Sequence, residues 1–385
     1  MRTTVAVINL DRLASNLEVV RRRAPQTKIL AMVKANAYGH GLVGTSRVLQ
    51  HLGVEMLGVA FVHEAEALRE GGVSAPILVI TPTTPEDAPS IVQHALHVVV
   101  CSVEEAAVLS RAGQAAGVTI PVHLYVDTGM HRDGVAPEHV VPTLEAISTL
   151  ASLDVCGICT HFATADQVES PFLDHQLQSF LSVVDAARDH GFVFTYVHAA
   201  NTASIWHRLA SHCTMVRPGL SLYGYGLLEV PEQELLPVMS LQTTITGLRR
   251  IRAGEGVSYG RRYVAPHETT IATLPIGYGD GYFRGFTGKT WCLIHGTKYP
   301  IVGTICMDAC MVDVGNADVA IGDVAVLLGE QQGADGVVQR IDAMELAAVI
   351  DSIPYEVLTA ISERVPRAFV GRLSTVAQLG EVSSV

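Results

Sequence analysis

Up to about residue 220, short apolar runs alternate with amphipathic stretches. The runs Ile29–Val33, Met56–Phe61, Ile77–Ile80, Leu96–Val100, Val122–Val126, Val155–Cys159, Phe192–Val197 and Met215–Arg217 read as strands. Between them, Val43–Leu52, Val62–Glu70, Val103–Ala112 and Phe172–Asp189 repeat apolar residues every three or four positions, which predicts helices. Eight strand signals joined by helical crossovers at roughly 20–40-residue spacing fit a closed (β/α)8 barrel better than an open sheet. From Leu236 the pattern changes. Runs rich in Val, Ile and Thr (Leu241–Ile245, Thr269–Thr273, Trp291–Ile294, Ile301–Cys306, Ala309–Val314) are separated by Gly, Pro and Asp, and helical periodicity returns only at Ile341–Ile350 and Tyr355–Ser362. The expected fold class is therefore α/β: an N-terminal TIM-type barrel over residues 1–232, then a mainly antiparallel β domain over 233–385.

Composition narrows the function. With 385 residues, 49% hydrophobic and 17% charged, the chain has ample material for a buried core. A net charge of −12 argues against nucleic acid or an anionic membrane as partner. The mean hydropathy of +0.32 raises a membrane reading. Its longest apolar runs nevertheless fall far short of the roughly 18–20 residues of a spanning helix. No secretory segment is visible, and seven scattered cysteines, an odd number, read as reduced thiols, so a cytoplasmic location is expected. Cys156-Gly157-Ile158-Cys159-Thr160-His161 resembles half a zinc site, but no second Cys/His pair lies at suitable spacing, and no metal is expected.

Barrel enzymes carry their chemistry where strands end. Lys34 follows the first barrel strand, Asp127 to Arg132 the fifth, His161 the sixth, His198 to Thr202 the seventh, and Arg217 to Ser221 the eighth. A partly desolvated lysine at this rim can form a Schiff base or trade protons; the plain alternative is a rim lysine paired to a carboxylate. The loops His198–Ala203 (including Asn201 and Thr202) and Val216–Ser221 (including Gly219 and Leu220) supply small residues whose N–H groups can approach a phosphate. With Lys34 they favour a phosphorylated aldehyde cofactor, pyridoxal 5′-phosphate. Arg217 could then face the pyridine nitrogen and, keeping its own proton, leave that nitrogen unprotonated. It could equally be a rim salt bridge.

Ala31-Met32-Val33-Lys34-Ala35-Asn36-Ala37-Tyr38-Gly39-His40-Gly41 resembles the cofactor-lysine signature of the pyridoxal-phosphate-dependent alanine racemases. Further blocks agree in order along nearly the whole chain: Asp127–Arg132, Thr160–Asp166, Val216–Gly219, Val257–Gly260, Gly277–Gly281, Ile305–Asp308 and Ile353–Glu356. The resemblance implies interconversion of L- and D-alanine for peptidoglycan by two proton-carrying groups, because a single group returns the proton to the face it left. Lys34 would serve one face and Tyr259 the other. A free phenol near pKa 10 is a poor base, so hydrogen bonds from cationic partners, by the resemblance His161 and Arg132, would support its phenolate. The same resemblance gives the phosphate to Tyr38, Thr202, Gly219, Leu220 and Tyr355, the substrate carboxylate to Arg132 and Met307, and the entrance to Tyr278. It also implies a homodimer in which the tyrosine comes from the partner.

Two positions depart from that family. Many members carry a carbamylated lysine, orienting the arginine, where this chain has Tyr125, and Asp133 stands where leucine is common. The extra charge beside Arg132 keeps open a racemase of serine or of a basic amino acid. A decarboxylase of the same architecture would place an acid at the pyridine nitrogen, and a pyridoxal-phosphate homeostasis protein would need no β domain.

Overall fold

The computed structural model describes residues 2–167, 169–226 and 234–378. The described chain forms two compact units. The first is the expected barrel. Strands β2 (Lys28–Met32), β3 (Met56–Val59), β4 (Ile77–Val79), β5 (His97–Val100), β6 (Ile120–Tyr125), β7 (Leu153–Cys159), β8 (Tyr196–His198) and β9 (Met215–Val216) pair in parallel and in sequence order. The β2–β9 pairing, Lys28 opposite Met215 and Ile29 opposite Val216, closes the ring. Every apolar run expected to be a barrel strand is one, within a few residues at each end. Strands β3 and β4 are buried along their whole length, as the near-continuous apolar runs of a helix-covered parallel sheet require.

The crossover helices show why these segments are helical. Val103–Ala116 begins at Ser102, whose side chain accepts from the Glu105 N–H, and stops at Gly117 in the left-handed region. Pro171–Asp189 begins with proline at its first turn, capped by Ser170, and buries Leu173, Leu177, Phe180 and Val184 along one stripe. No helix among the described residues is long and apolar enough to cross a membrane.

The second unit is a sheet that includes the start of the chain. β1 (Val5–Asn9) pairs antiparallel with β10 (Met239–Thr244) and parallel with β20 (Arg367–Val370). Residues 2–11 and 38–41 therefore group with the β unit rather than with the barrel, while position 232/233 lies outside the described residues. The local reason is alternation: Ala6 and Ile8 are buried and their neighbours half-buried, the period of a strand covered on one face. The sheet continues through β11 (Gly247–Ile251), β14 (Thr269–Leu274), β15 (Trp291–Ile294), β16 (Thr297–Val302), β17 (Cys310–Gly315), β18 (Val324–Gln332) and β19 (Val338–Ile341), while β12 (Gly256–Val257) and β13 (Tyr263–Val264) form a separate hairpin. The run expected as a strand over Ile301–Cys306 instead ends one at Val302. Thr297 to Pro300 hid its first half, and the hairpin joining β15 to β16 turns at His295 and Gly296, both with positive φ.

Candidate active site

Lys34 opens an unusual turn at the end of β2. Ala35, Asn36, Ala37 and Tyr38 all lie in the left-handed region, with φ between 52 and 56°. Each non-glycine residue there costs about 1–2 kcal/mol, so the surroundings must hold the turn in place. The Glu64 carboxylate accepts from the Ala35 N–H at 2.6 Å and from the Ala60 N–H at 2.7 Å, and Asn36 Oδ1 accepts from the Leu42 N–H at 2.7 Å. Burial lowers the Lys34 pKa, and the positive charges of Arg132 and Arg217 lower it further against the opposing pull of Glu64. A partly buried amine among like charges has an enlarged neutral fraction, the form that can accept a proton or attack a carbonyl.

Arg217 is buried and makes nearly all its contacts through its two terminal nitrogens. Nη1 donates to the His198 carbonyl at 2.7 Å and to His198 Nδ1 at 3.1 Å. Nη2 donates to the carbonyls of Thr160 and Ala199 and to His161 Nδ1 at 3.1 Å. Among the described residues Nε is the guanidinium donor without such a partner. Since arginine only donates, both histidines accept at Nδ1 and carry their protons on Nε2. His161 is thus neutral: burial, then Arg217, Arg132 and Lys34, push its pKa down to about 3. It can give a phenolate a neutral N–H donor, not a cation. Beside this network, Thr202 Oγ1 accepts from the Gly219 N–H at 3.0 Å and lies 3.5 Å from the Ser221 N–H, so a hydroxyl of one loop meets small-residue amides of the next. Asn201 caps the helix Thr202–His207 through its side chain, and Leu220 is fully buried, which leaves its backbone as the part able to contact a ligand.

Four histidines of this barrel, His123 and His198 buried and His97 and His161 half-buried, are held neutral. Burial takes His123 to about 3 and His97 to about 4, and His198 well below its ordinary value, alongside His161 at about 3. Below about pH 6.5 the unfolded chain binds protons at these positions that the fold refuses, so stability falls on acidification, at up to about 1.4 kcal/mol per pH unit for each. The urea midpoint should drop steadily between pH 6.5 and 5, and His97→Phe should make the dependence shallower. A midpoint flat over that window would refute the neutral-histidine assignment.

Arg132, at the end of the fifth barrel strand, is exposed and drawn sideways: its Nε donates to Asp133 Oδ2 at 3.1 Å. Burial pulls the guanidinium pKa down, but Tyr125 and Asp133 outweigh it and leave it raised. The buried Tyr125 hydroxyl faces Arg132, and burial raises its own pKa to about 12.

In the β unit, Tyr259, Tyr278 and Met307 sit on three loops stitched to one another. Thr304 Oγ1 donates to the Tyr259 carbonyl at 2.7 Å, and Ser258 Oγ to the Thr304 carbonyl at 2.6 Å. The Tyr278 N–H donates to the Cys306 carbonyl at 3.0 Å, and a Cβ on Gly277 would fall 2.1 Å from that oxygen, so this crossing admits only glycine. Their side chains are exposed by 73, 42 and 52% respectively. In the same unit the Tyr38 and Tyr355 rings stand 5.7 Å apart at 43°, and burial, then Tyr355, pushes the Tyr38 hydroxyl pKa up.

Comparison with known proteins assigns the chain. Family models described as "Alanine racemase, N-terminal domain" and "Alanine racemase, C-terminal domain" match residues 8–226 and 238–369. The chain belongs to the alanine racemase family. An alanine racemase of Clostridium novyi is 37% identical over 376 residues, covering 96% of each chain. That of Desulforamulus reducens is 38% identical over 372 residues, covering 95% of this chain and 98% of the relative. Among solved structures, alanine racemase from a D-cycloserine-producing Streptomyces lavendulae aligns with a TM-score of 0.91 at 33% identity, over 98% of this chain and 99% of that one. The Bacillus anthracis alanine racemase with bound L-Ala-P aligns at 0.88 and 32% identity, over 97 and 96%.

Alanine racemases depend on pyridoxal phosphate, and the residues present fit that group. Arg217 keeps Nε as the donor not already committed, suited to a ring nitrogen that only accepts. The amides meeting at Thr202 suit a phosphate, and Lys34 suits the aldehyde. Sequence reasoning missed Glu64. Glu64 acts on a backbone 29 residues upstream, and no local pattern signals that.

Proposed function

We propose that the chain interconverts L- and D-alanine with Lys34 and Tyr259 as its two proton-carrying groups. The observation that carries this reading is Lys34 itself, held on a strained turn at the barrel mouth with its pKa lowered. When bound, pyridoxal phosphate supplies an electron-withdrawing ring that acidifies the substrate α-C–H. Lys34 Nζ, neutral in part, takes or returns the proton on one face. Tyr259 Oη serves the other face, and His161 Nε2–H, its tautomer set by Arg217, supports the phenolate. Arg132 pairs with the substrate carboxylate, and Met307 and Tyr278 line its approach. Arg217 holds its own proton at Nε, limiting protonation of the ring nitrogen. Thr202, Gly219, Leu220, Tyr38 and Tyr355 hold the phosphate, with His198 and Asn201 fixing the loops beside it.

The working form is a homodimer, each site using Tyr259 of the partner subunit; this accords with the wide exposure of that side chain. The protein works in the cytoplasm, and its D-alanine feeds peptidoglycan. A second reading, racemisation of serine or a basic amino acid, draws on the Arg132–Asp133 contact, which places a carboxylate beside the substrate ligand. Arg217 in place of an acid speaks against a decarboxylase, and the matched C-terminal domain against a homeostasis protein. Chiral chromatography after incubation with L-alanine, L-serine or L-lysine tests the proposal. Approach to equal enantiomers with alanine is expected. Activity confined to serine or lysine would make Tyr125 and Asp133 specificity determinants and overturn the alanine reading.

A further inference from the structure

The opposite end of the barrel holds a second cluster of chemically active side chains. His97 begins β5, His123 lies within β6 and Cys156 within β7. Their candidate ligand atoms all lie within 4.8 Å of one another. His97 Nδ1 is 3.3 Å from His123 Nε2 and 3.8 Å from Cys156 Sγ. A tetrahedral zinc with Zn–N of about 2.05 Å and Zn–S of about 2.3 Å has N···N edges near 3.3 Å and N···S edges near 3.6 Å. Two of the measured separations thus fall close to the edges of a zinc tetrahedron. A sequence reading finds no second ligand pair near Cys156, because its partners come from strands 59 and 33 residues upstream.

The arrangement is built rather than accidental. Gly157 leaves room for the His123 ring, since a Cβ there would fall 2.3 Å from Nδ1. Tyr196 stacks on His123 at 5.3 Å with planes 13° apart and meets His97 edge-on, walling the cluster. His123 Nδ1 is 2.9 Å from His198 Nε2, the outer hydrogen bond that orients a ligating imidazole. Asp154, whose charge acts on both His97 and Cys156, offsets the positive charge of a loaded site.

We propose that His97, His123 and Cys156 bind one zinc ion at the N-terminal mouth of the barrel, with water in the fourth position. Mixed imidazole and thiolate donors select zinc over hard cations. On binding, Cys156 gives its thiol proton to solvent, both imidazoles supply lone pairs, and the ion sheds the corresponding waters. The ladder of imidazoles sets the cost. Arg217 donates to His198 Nδ1, so His198 Nε2–H donates to His123 Nδ1 and the His123 proton sits on Nε2, toward His97. Loading reverses this order and gives up the His198–Arg217 contact. Three protein ligands and that cost make the ion exchangeable rather than structural.

The test is a cobalt(II) titration of the cofactor-loaded protein after chelator treatment. A near-ultraviolet thiolate-to-cobalt band and intense visible bands should saturate at one equivalent and vanish on adding zinc. Cys156→Ser should remove the near-ultraviolet band, His97→Ala should weaken binding about tenfold or more, and Cys213→Ser should change neither. Chelation should leave the circular dichroism unchanged. Should Cys156→Ser fail to fold, His97→Ala at the more open edge of the cluster carries the test. Absence of a thiolate band, or one that survives both Cys156→Ser and His97→Ala, would overturn the proposal.

Discussion

Lys34→Ala should abolish racemisation, lowering kcat by about 10⁴-fold or more, and strip the visible absorbance of lysine-bound cofactor. The loss should come without unfolding. Lys34 is partly buried between the positive charges of Arg132 and Arg217, with Glu64 as its counter-charge. Glu64 also receives the N–H groups of Ala35, Ala60 and Phe61, so removing the amine leaves that carboxylate hydrogen-bonded. The strained turn beyond Lys34 keeps its anchors, and the thermal midpoint should stay close to that of the unaltered protein. The chiral assay and the absorbance spectrum are read together. A variant that keeps more than about 1% of the rate would remove Lys34 from the proton-carrying pair.

The lysine was legible because its signal is local: an apolar strand, a lysine, then small residues and glycines. The strain that fixes it was not. Four consecutive left-handed residues read from sequence as a loop with ordinary alanines, and only Glu64 and Asn36, acting across the fold, make the turn affordable. The barrel followed from the count of apolar runs, since parallel strands buried on both faces advertise themselves. The sheet was harder to read. β1 lies 230 residues and more from both its partners, and the first half of β16 is polar, so period and composition together could not place them. His161 was read as a possible cationic support, and the structure makes it neutral, because Arg217 occupies its Nδ1 and no sequence pattern reports a tautomer. The cluster of His97, His123 and Cys156 was illegible for the same reason as Glu64: strand register, not spacing, brings it together.

Tyr259→Phe should lower racemisation by about 10²–10⁴-fold while leaving the fold and the cofactor's absorbance intact. The side chain is 73% exposed, and its backbone carbonyl, which the substitution keeps, is what Thr304 holds. The loss should be one-sided. With Lys34 still present, one enantiomer should continue to exchange its α-proton with deuterated solvent while the other loses that ability. Exchange of both enantiomers at undiminished rate would refute the two-group scheme. The same variant then reports where the second group comes from. Co-expressed with Lys34→Ala under separate tags, it yields dimers carrying one copy of each defect. If every site pairs Lys34 of one protomer with Tyr259 of the partner subunit, one site in each mixed dimer regains both groups and the other loses both. Random pairing makes half the dimers mixed, so the pool should recover about one quarter of the normal rate, and purified mixed dimers about half. If both groups belonged to one chain, every site would lack one of them and mixing would restore nothing. Two nearly inactive variants becoming active together is therefore the result that a shared site demands and a self-contained one forbids.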